Sequence, residues 1–402
     1  MEAYIQEKPP WKCVEWIKSP FWSVNSIPEI EFVEWVADPN EGAVTIKEEI
    51  RELDKEHKWE LAKKMVNPYE LVYTHDDERL PPSLSLEYPL SRSFFKMIEI
   101  LNVSQFFEIV GKEHNNIRSV HVAEGPGGFI QALHNRAEVK NKTITNSFAM
   151  TLKPTNPHVP GWKKATQFLQ KYKQVKIHYG ADGTGNIYTN ENQESFIQFT
   201  NPKAHIFTAD GGFDFSVDYS LQEQRVFHLL ICSITIGLRT LVKGGYFVLK
   251  LFDCTSPNTK SLVLILSRCF SDWTLYKPAM TRPCNSERYF IGRGFYGNNA
   301  DHIVKCLLEI QQHSANGKYP LFKPGILSEI KFLEKHIATT TNLQIDAIKL
   351  AISLIKNQED WWKLWYIKCL KKSLSWCEMF KVSYITENSH IATTRSRFPS
   401  YF

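Results

Sequence analysis

Across residues 91–295 the chain alternates helical patterns with short apolar runs, the sequence form of an α/β sheet covered on both faces. Residues 118–123, 203–209, 246–252, 273–276 and 288–291 read as strands, and 221–242 and 259–270 as helices. The texture differs on either side. Residues 1–85 are rich in Trp, Pro and charge, with a helix-like stretch at 45–65 and a Pro-containing loop at Leu80-Pro81-Pro82. After Tyr296 the pattern is helical, with apolar residues at three-to-four spacing over 326–336, 343–355 and 361–380. The expected organisation is an N-terminal extension or lid (1–85), an α/β unit (86–297) and a helical C-terminal region (298–402).

One position in this pattern is difficult to explain as structure. Lys250 sits inside the continuous apolar run Tyr246-Phe247-Val248-Leu249-Lys250-Leu251-Phe252. Desolvating an ammonium costs several kcal/mol unless carboxylates compensate or the group gives up its proton. Lys250 and Asp210 both fall at or near the C-terminal ends of predicted strands, the edge where open α/β sheets bind ligands.

Other residues are ambiguous singly. Asp210 precedes Gly211-Gly212, and an Asp-Gly pair is most often turn chemistry. Glu287 reads equally as an exposed carboxylate paired with Arg282 or Arg288, and Lys96 as one charged position on an amphipathic helix. The turn Glu124-Gly125-Pro126-Gly127-Gly128-Phe129, between a strand and a helix, lets backbone approach a ligand closely. It lacks both the G-x-G-x-x-G spacing of dinucleotide sites and a P-loop lysine, so nucleoside triphosphate hydrolysis is disfavoured.

Composition narrows the function classes. The net charge of +5 only hints at a polyanionic partner, although residues 301–402 hold 14 Lys/Arg against 9 Asp/Glu. The eight cysteines form no C-x-x-C pair, which argues against a zinc site or a disulfide framework and for a reducing compartment. The longest apolar stretch, 227–242, is interrupted by Ser233, Thr235 and Arg239, so no membrane span is expected. Trp361, Trp362, Trp365 and Trp376, interleaved with Lys363, Lys368, Lys371 and Lys372, fit either an RNA-facing stacking surface or an amphipathic helix packed on the main unit.

Seven segments in order carry a resemblance. They are Ser91-Arg92-Ser93-Phe94-Phe95-Lys96-Met97, Ala123-Glu124-Gly125-Pro126-Gly127-Gly128-Phe129, Ala149-Met150-Thr151-Leu152-Lys153, Asp182-Gly183-Thr184-Gly185-Asn186-Ile187, Thr208-Ala209-Asp210-Gly211-Gly212-Phe213, Phe247-Val248-Leu249-Lys250 and Lys277-Pro278 through Asn285-Ser286-Glu287-Arg288-Tyr289. Together they resemble the FtsJ-type RNA ribose 2'-O-methyltransferases, most closely the eukaryotic and viral enzymes that methylate mRNA caps.

The resemblance implies a Rossmann-like, S-adenosylmethionine-dependent methyltransferase fold with a mostly parallel seven-stranded sheet. It implies a catalytic tetrad at Lys96, Asp210, Lys250 and Glu287, and no metal. It implies S-adenosylmethionine held by Ser91, by Ala123, Glu124, Gly125, Pro126, Gly127, Gly128 and Phe129, and by Asn186 and Ile187. Cap enzymes of the family often carry Asn at the position of Ser91 and Asp at that of Asn186. The implied substrate is the 5' end of capped mRNA, methylated on its first or second nucleotide, alongside other capping or transcription proteins. The implied location is the nucleus or cytoplasm, or a viral factory or virion. A methyltransferase of ribosomal or transfer RNA, and a non-catalytic RNA-binding subunit of a capping complex, are the alternatives. For the cap itself, Lys153, Lys163, Lys164 and the aromatic residues before Ser91 are all candidates, and no pattern selects among them.

Overall fold

The computed structural model describes residues 8–19, 29–37, 50, 58–75, 77–155, 159–212, 222–322, 327–356 and 362–399. Ten strands are present among them: β1 (Ile17–Lys18), β2 (Ile30–Val33), β3 (Asn116–Val122), β4 (Thr143–Met150), β5 (Val175–His178), β6 (Ala204–Ala209), β7 (Leu241–Leu251), β8 (Phe270–Tyr276), β9 (Arg288–Phe295) and β10 (Tyr319–Phe322). Eight of them form one sheet in the order β1-β8-β9-β7-β6-β3-β4-β5, and β2 pairs with β10 separately. Strands β5, β4, β3, β6 and β7 run parallel. Strand β9 runs against both β7 and β8, and β1 against β8. The expectation of seven strands is therefore corrected to eight. The additional strand is the two-residue β1, whose partner Trp273 sits on an otherwise open sheet edge.

The central strands form because their residues are apolar on both faces, as a sheet sandwiched between helical layers requires. All six residues of β6 are buried. One face packs against the helices Gln222–Thr240, Pro257–Ser267 and Asp301–Ala315, through Phe207, Phe247, Ile231 and Leu264 among others. The opposite face packs against the helices Ser93–Val103, Phe106–Glu113 and Gly128–Val139, through Ile206, Val248, Phe95 and Leu133. No helix among the described residues is long and apolar enough to cross a membrane.

The C-terminal region departs from the sequence pattern in one respect. The two helices expected at 326–336 and 343–355 are a single helix, Leu327–Lys356. The Trp362–Phe380 helix buries Trp362, Trp365 and Trp376, so these rings pack rather than face outward; Trp361 lies outside the described residues. Trp362, Trp365 and Tyr366 join Met65, Leu71, Leu80 and Leu84 in one cluster, which fastens this helix to the segment preceding Ser91. Of the stretch expected to be helical at 45–65, the described part shows the helix Trp59–Met65.

Trp376 also reaches the helix that carries Lys96. Its Nε1 donates to Glu99 Oε2 at 2.8 Å, Ala279 N donates to Glu99 Oε1 at 2.7 Å, and Tyr276 Oη donates to the same carboxyl. Glu99 is fully buried, and burial outweighs these three donors, raising its carboxyl to about 7. The folded chain therefore keeps a proton that the unfolded chain releases near 4.5. Between those two values stability falls as pH rises, by up to about 3 kcal/mol. We expect Glu99→Gln to remove this slope. Urea midpoints measured from pH 5 to 8 should converge on those of wild type in acid and exceed them at neutrality; parallel curves would show that Glu99 titrates normally.

Candidate active site

Strand register assembles the site. Ala209 pairs with Leu249, which brings Asp210, one residue beyond β6, level with Lys250 near the end of β7. Lys250 pairs in turn with Tyr289 on β9. Side chains two apart on a strand share a face, so Glu287 lies on the side of Tyr289. Lys96 enters from the first turns of the helix Ser93–Val103. The C-terminal edge of the parallel strands thus collects four charged side chains from distant parts of the sequence.

Their contacts form two ion pairs joined by a phenol. Lys250 Nζ lies 3.3 Å from Asp210 Oδ1 and donates to the Asp210 carbonyl at 2.6 Å. Lys96 Nζ lies 2.6 Å from Glu287 Oε1. The hydroxyl of Tyr289 is within 2.8 Å of Asp210 Oδ1 and 3.0 Å of Glu287 Oε1, and Thr281 Oγ1 donates to Glu287 Oε1 at 3.1 Å. Each of the four charged side chains retains only 10–13% of its surface exposed.

The electrostatics settle which charge term dominates at Lys250. Burial opposes its ammonium, but Asp210 and Glu287 more than offset that, so the group is held above the usual lysine range and is protonated in the resting site. Burial likewise opposes the Glu287 carboxylate, and Lys96 and Lys250 hold it below its usual range. Lys277 differs from both. Burial and then Arg288 lower its ammonium to about 7, while Nζ donates to the carbonyls of Asn285 and Glu287, fixing the segment that presents Glu287.

A cavity of about 920 Å³ runs past these groups. At one end it is bounded by Ser91, Ala123, Glu124, Gly125 and Pro126 together with Leu152, Gly185, Asn186 and Ile187. At the other end it meets Trp59, Lys63, Cys284, Asn285, Gln344 and Ile348. Gly127, Gly128 and Phe129 stand behind the wall. Gly127 supplies the left-handed φ of 103° that starts the helix Gly128–Val139, and a Cβ on Gly128 would strike the hydroxyls of Ser91 and Ser93. Phe129 is buried against Tyr289, ring centres 5.7 Å apart. Gly212 keeps the cavity open beside the Lys250–Asp210 pair, since a Cβ there would lie 3.2 Å from Lys250 Nζ. Phe213 lies outside the described residues.

Glu124 heads a buried polar ladder. Its carboxyl is hydrogen-bonded to Thr208 and lies 3.1 Å from His121 Nδ1; His121 Nε2 meets Ser119 Oγ at 2.8 Å, and Ser119 donates to Ser147. Burial raises the Glu124 carboxyl well above its ordinary value and lowers His121 to about 3. The His121 imidazole is therefore neutral, and its contact with Glu124 is a hydrogen bond rather than an ion pair. The resemblance assigned no role to Tyr289, Lys277 or the ladder residues behind Glu124. The period-two spacing from Glu287 was the available signal for Tyr289; nothing local marked the other two.

A five-stranded parallel block flanked by a reversed strand, with a glycine turn after its first central strand, defines a Rossmann-like methyltransferase fold. The description of the FtsJ-like methyltransferases matches residues 89–295, and the chain belongs to that family. Relatives include the cap-specific mRNA (nucleoside-2'-O-)-methyltransferase 1 of Dictyostelium discoideum, 29% identical over 61% of this chain and 33% of that protein. The proteins of the same name from Xenopus laevis (31%, 51% of this chain, 26% of that protein) and Trypanosoma brucei brucei (33%, 47% and 51%) are similar too. The chain thus spans between a quarter and about half of the length of these relatives.

Proposed function

We propose that the protein is an S-adenosylmethionine-dependent RNA ribose 2'-O-methyltransferase that acts on the first or second transcribed nucleotide of capped mRNA. The observation that carries this reading is the pair of ion pairs, Lys250–Asp210 and Lys96–Glu287, linked by Tyr289 inside a cavity that also reaches the Ala123–Pro126 turn. The cavity is roomy enough for a nucleoside donor beside an acceptor nucleotide, since ligand pockets span about 300–1,000 Å³. Apolar Pro126, Leu152 and Ile187 with polar Ser91 and Asn186 suit an adenosyl group, which would supply an electrophilic methyl on a sulfonium. Gly127, Gly128 and Phe129 support that wall from behind.

Lys250 takes the proton of the 2'-hydroxyl, Asp210 orients Lys250, and Lys96 with Glu287 positions the ribose. Because the resting Lys250 is an ammonium, its neutral fraction grows tenfold per pH unit below its pKa. We expect kcat/KM, which reports the free enzyme, to rise with pH throughout pH 7–9; a profile flat over that range would remove Lys250 as the base.

For the capped end, two features of the surface favour a charged, stackable ligand. Lys153, Lys163 and Lys164 are exposed on the segments flanking Leu152 and Pro160 of the cavity rim. The Tyr88 ring, three residues before Ser91, is 94% exposed. Incubation with labelled S-adenosylmethionine and capped, uncapped or structured RNA, followed by mapping of the methylated nucleotide, tests the assignment. Label confined to a 2'-oxygen next to the cap is expected. Label in uncapped structured RNA would move the target to ribosomal or transfer RNA, and no label in any RNA would leave a binding subunit.

A further inference from the structure

The half of the cavity beyond Glu287 is built largely from outside the matched residues 89–295. Trp59 and Lys63 come from the helix Trp59–Met65, and Gln344 and Ile348 from the helix Leu327–Lys356. These two helices close on each other through Trp59, Ala62, Ala347 and Ile348, and Cys284 belongs to the same cluster. Gln344 Nε2 donates to the Cys284 carbonyl at 3.2 Å, which ties the C-terminal helix to the segment leading into Glu287.

We propose that this end is the subsite for the base of the nucleotide being methylated, so that the flanking segments set which base is accepted. The inference rests on the methyl-acceptor reading above. Three observations carry it. Cys284 is three residues from Glu287 and so within about 10 Å of it, close enough for one nucleotide to touch both. The walls supplied by Trp59, Cys284 and Ile348 are apolar, with amides at Asn285 and Gln344, which is the mixture that holds a flat heterocycle and reads its polar edge. Lys63 lies at this end with its side chain 17% exposed, paired among the described residues with Glu60 on its own helix, and can turn to a phosphate. Asn285 is exposed, and its carbonyl, held by Lys277, fixes the backbone that carries its amide.

Two variants and a crosslink test the subsite. Affinity for S-adenosylhomocysteine, a donor-end probe, should match wild type in both Lys63→Glu and Asn285→Ala, which also reports that each has folded. Lys63→Glu should raise KM for a short RNA at least about fivefold at low salt and reduce the salt dependence of that KM. Asn285→Ala should narrow the spread of kcat/KM among RNAs that differ only in the target base. RNA carrying 4-thiouridine at the target position should crosslink to peptides containing residues 59–63 or 344–348. Unchanged KM and base preference in an active enzyme, or crosslinks confined to other peptides, would overturn the subsite while leaving the methyltransferase reading intact. A wild-type protein that transfers methyl to no RNA would instead remove the reading on which the subsite rests.

Discussion

Replacing Lys250 by alanine should lower methyl transfer by about 10²–10⁴-fold with little change in donor affinity. The side chain lines the cavity with Asp210, its ammonium 5.6 Å from the centre of the Phe252 ring. Truncation removes the group proposed to accept the proton and leaves the Asp210 carboxylate with Tyr289 as its partner. Lys250→Arg keeps a cation but supplies no group that deprotonates near neutrality, so it should be as inactive as the alanine variant. Single-turnover transfer with saturating donor isolates the step from binding. Near wild-type turnover in either variant would exclude Lys250 from the chemistry.

The largest effect on stability should come from Glu70→Ala. Glu70 is fully buried and faces two guanidinium groups, Arg92 at 3.1 Å and Arg282 at 2.8 Å, with Asn67 Nδ2 donating at 2.7 Å. Arg92 also donates to the carbonyls of Tyr73 and Met280. Removing the carboxylate strands cations in a buried setting, and breaking one side of such a group costs about 3–5 kcal/mol. Chemical denaturation should show that loss, whereas Arg282→Ala, which leaves Glu70 paired with Arg92, should cost less. Arg92 adjoins Ser91 and Arg282 lies in the segment approaching Glu287, so the same variant should also loosen both margins of the cavity and raise KM for donor and RNA together.

How far these features could be read in advance depended on what each residue demanded of its surroundings. Lys250 announced itself because an ammonium inside an apolar run has few structural uses, and the strand ends at Asp210 and Lys250 located the binding edge of the sheet. Strand β4 went unread because four of its first five residues, Thr143, Thr145, Asn146 and Ser147, are polar; its Ser147 serves the ladder that reaches Glu124. Strand β5 is only four residues long, and β1 only two. The run Thr339-Thr340-Thr341-Asn342 falls in the gap between the two expected helices. Instead Thr339 and Thr340 return their hydroxyls to the carbonyls of Lys335 and His336, and Arg288 donates to Thr340 Oγ1 at 2.6 Å, so the helix continues. The cavity's far end was invisible because it joins positions near 60, 285 and 345, which only tertiary packing brings together.

The interlocking of the two flanks bears on how such a chain can be shortened or recombined. β2 needs β10, Trp11 needs Phe380, and the leucines at 71, 80 and 84 need the tryptophans at 362 and 365. Trimming either flank by itself would lay bare the oily side of the other. The segment spanning 89–295 should therefore be transplanted or expressed with both companions or with substitutes for both, and natural variants should gain and lose these flanks as a pair.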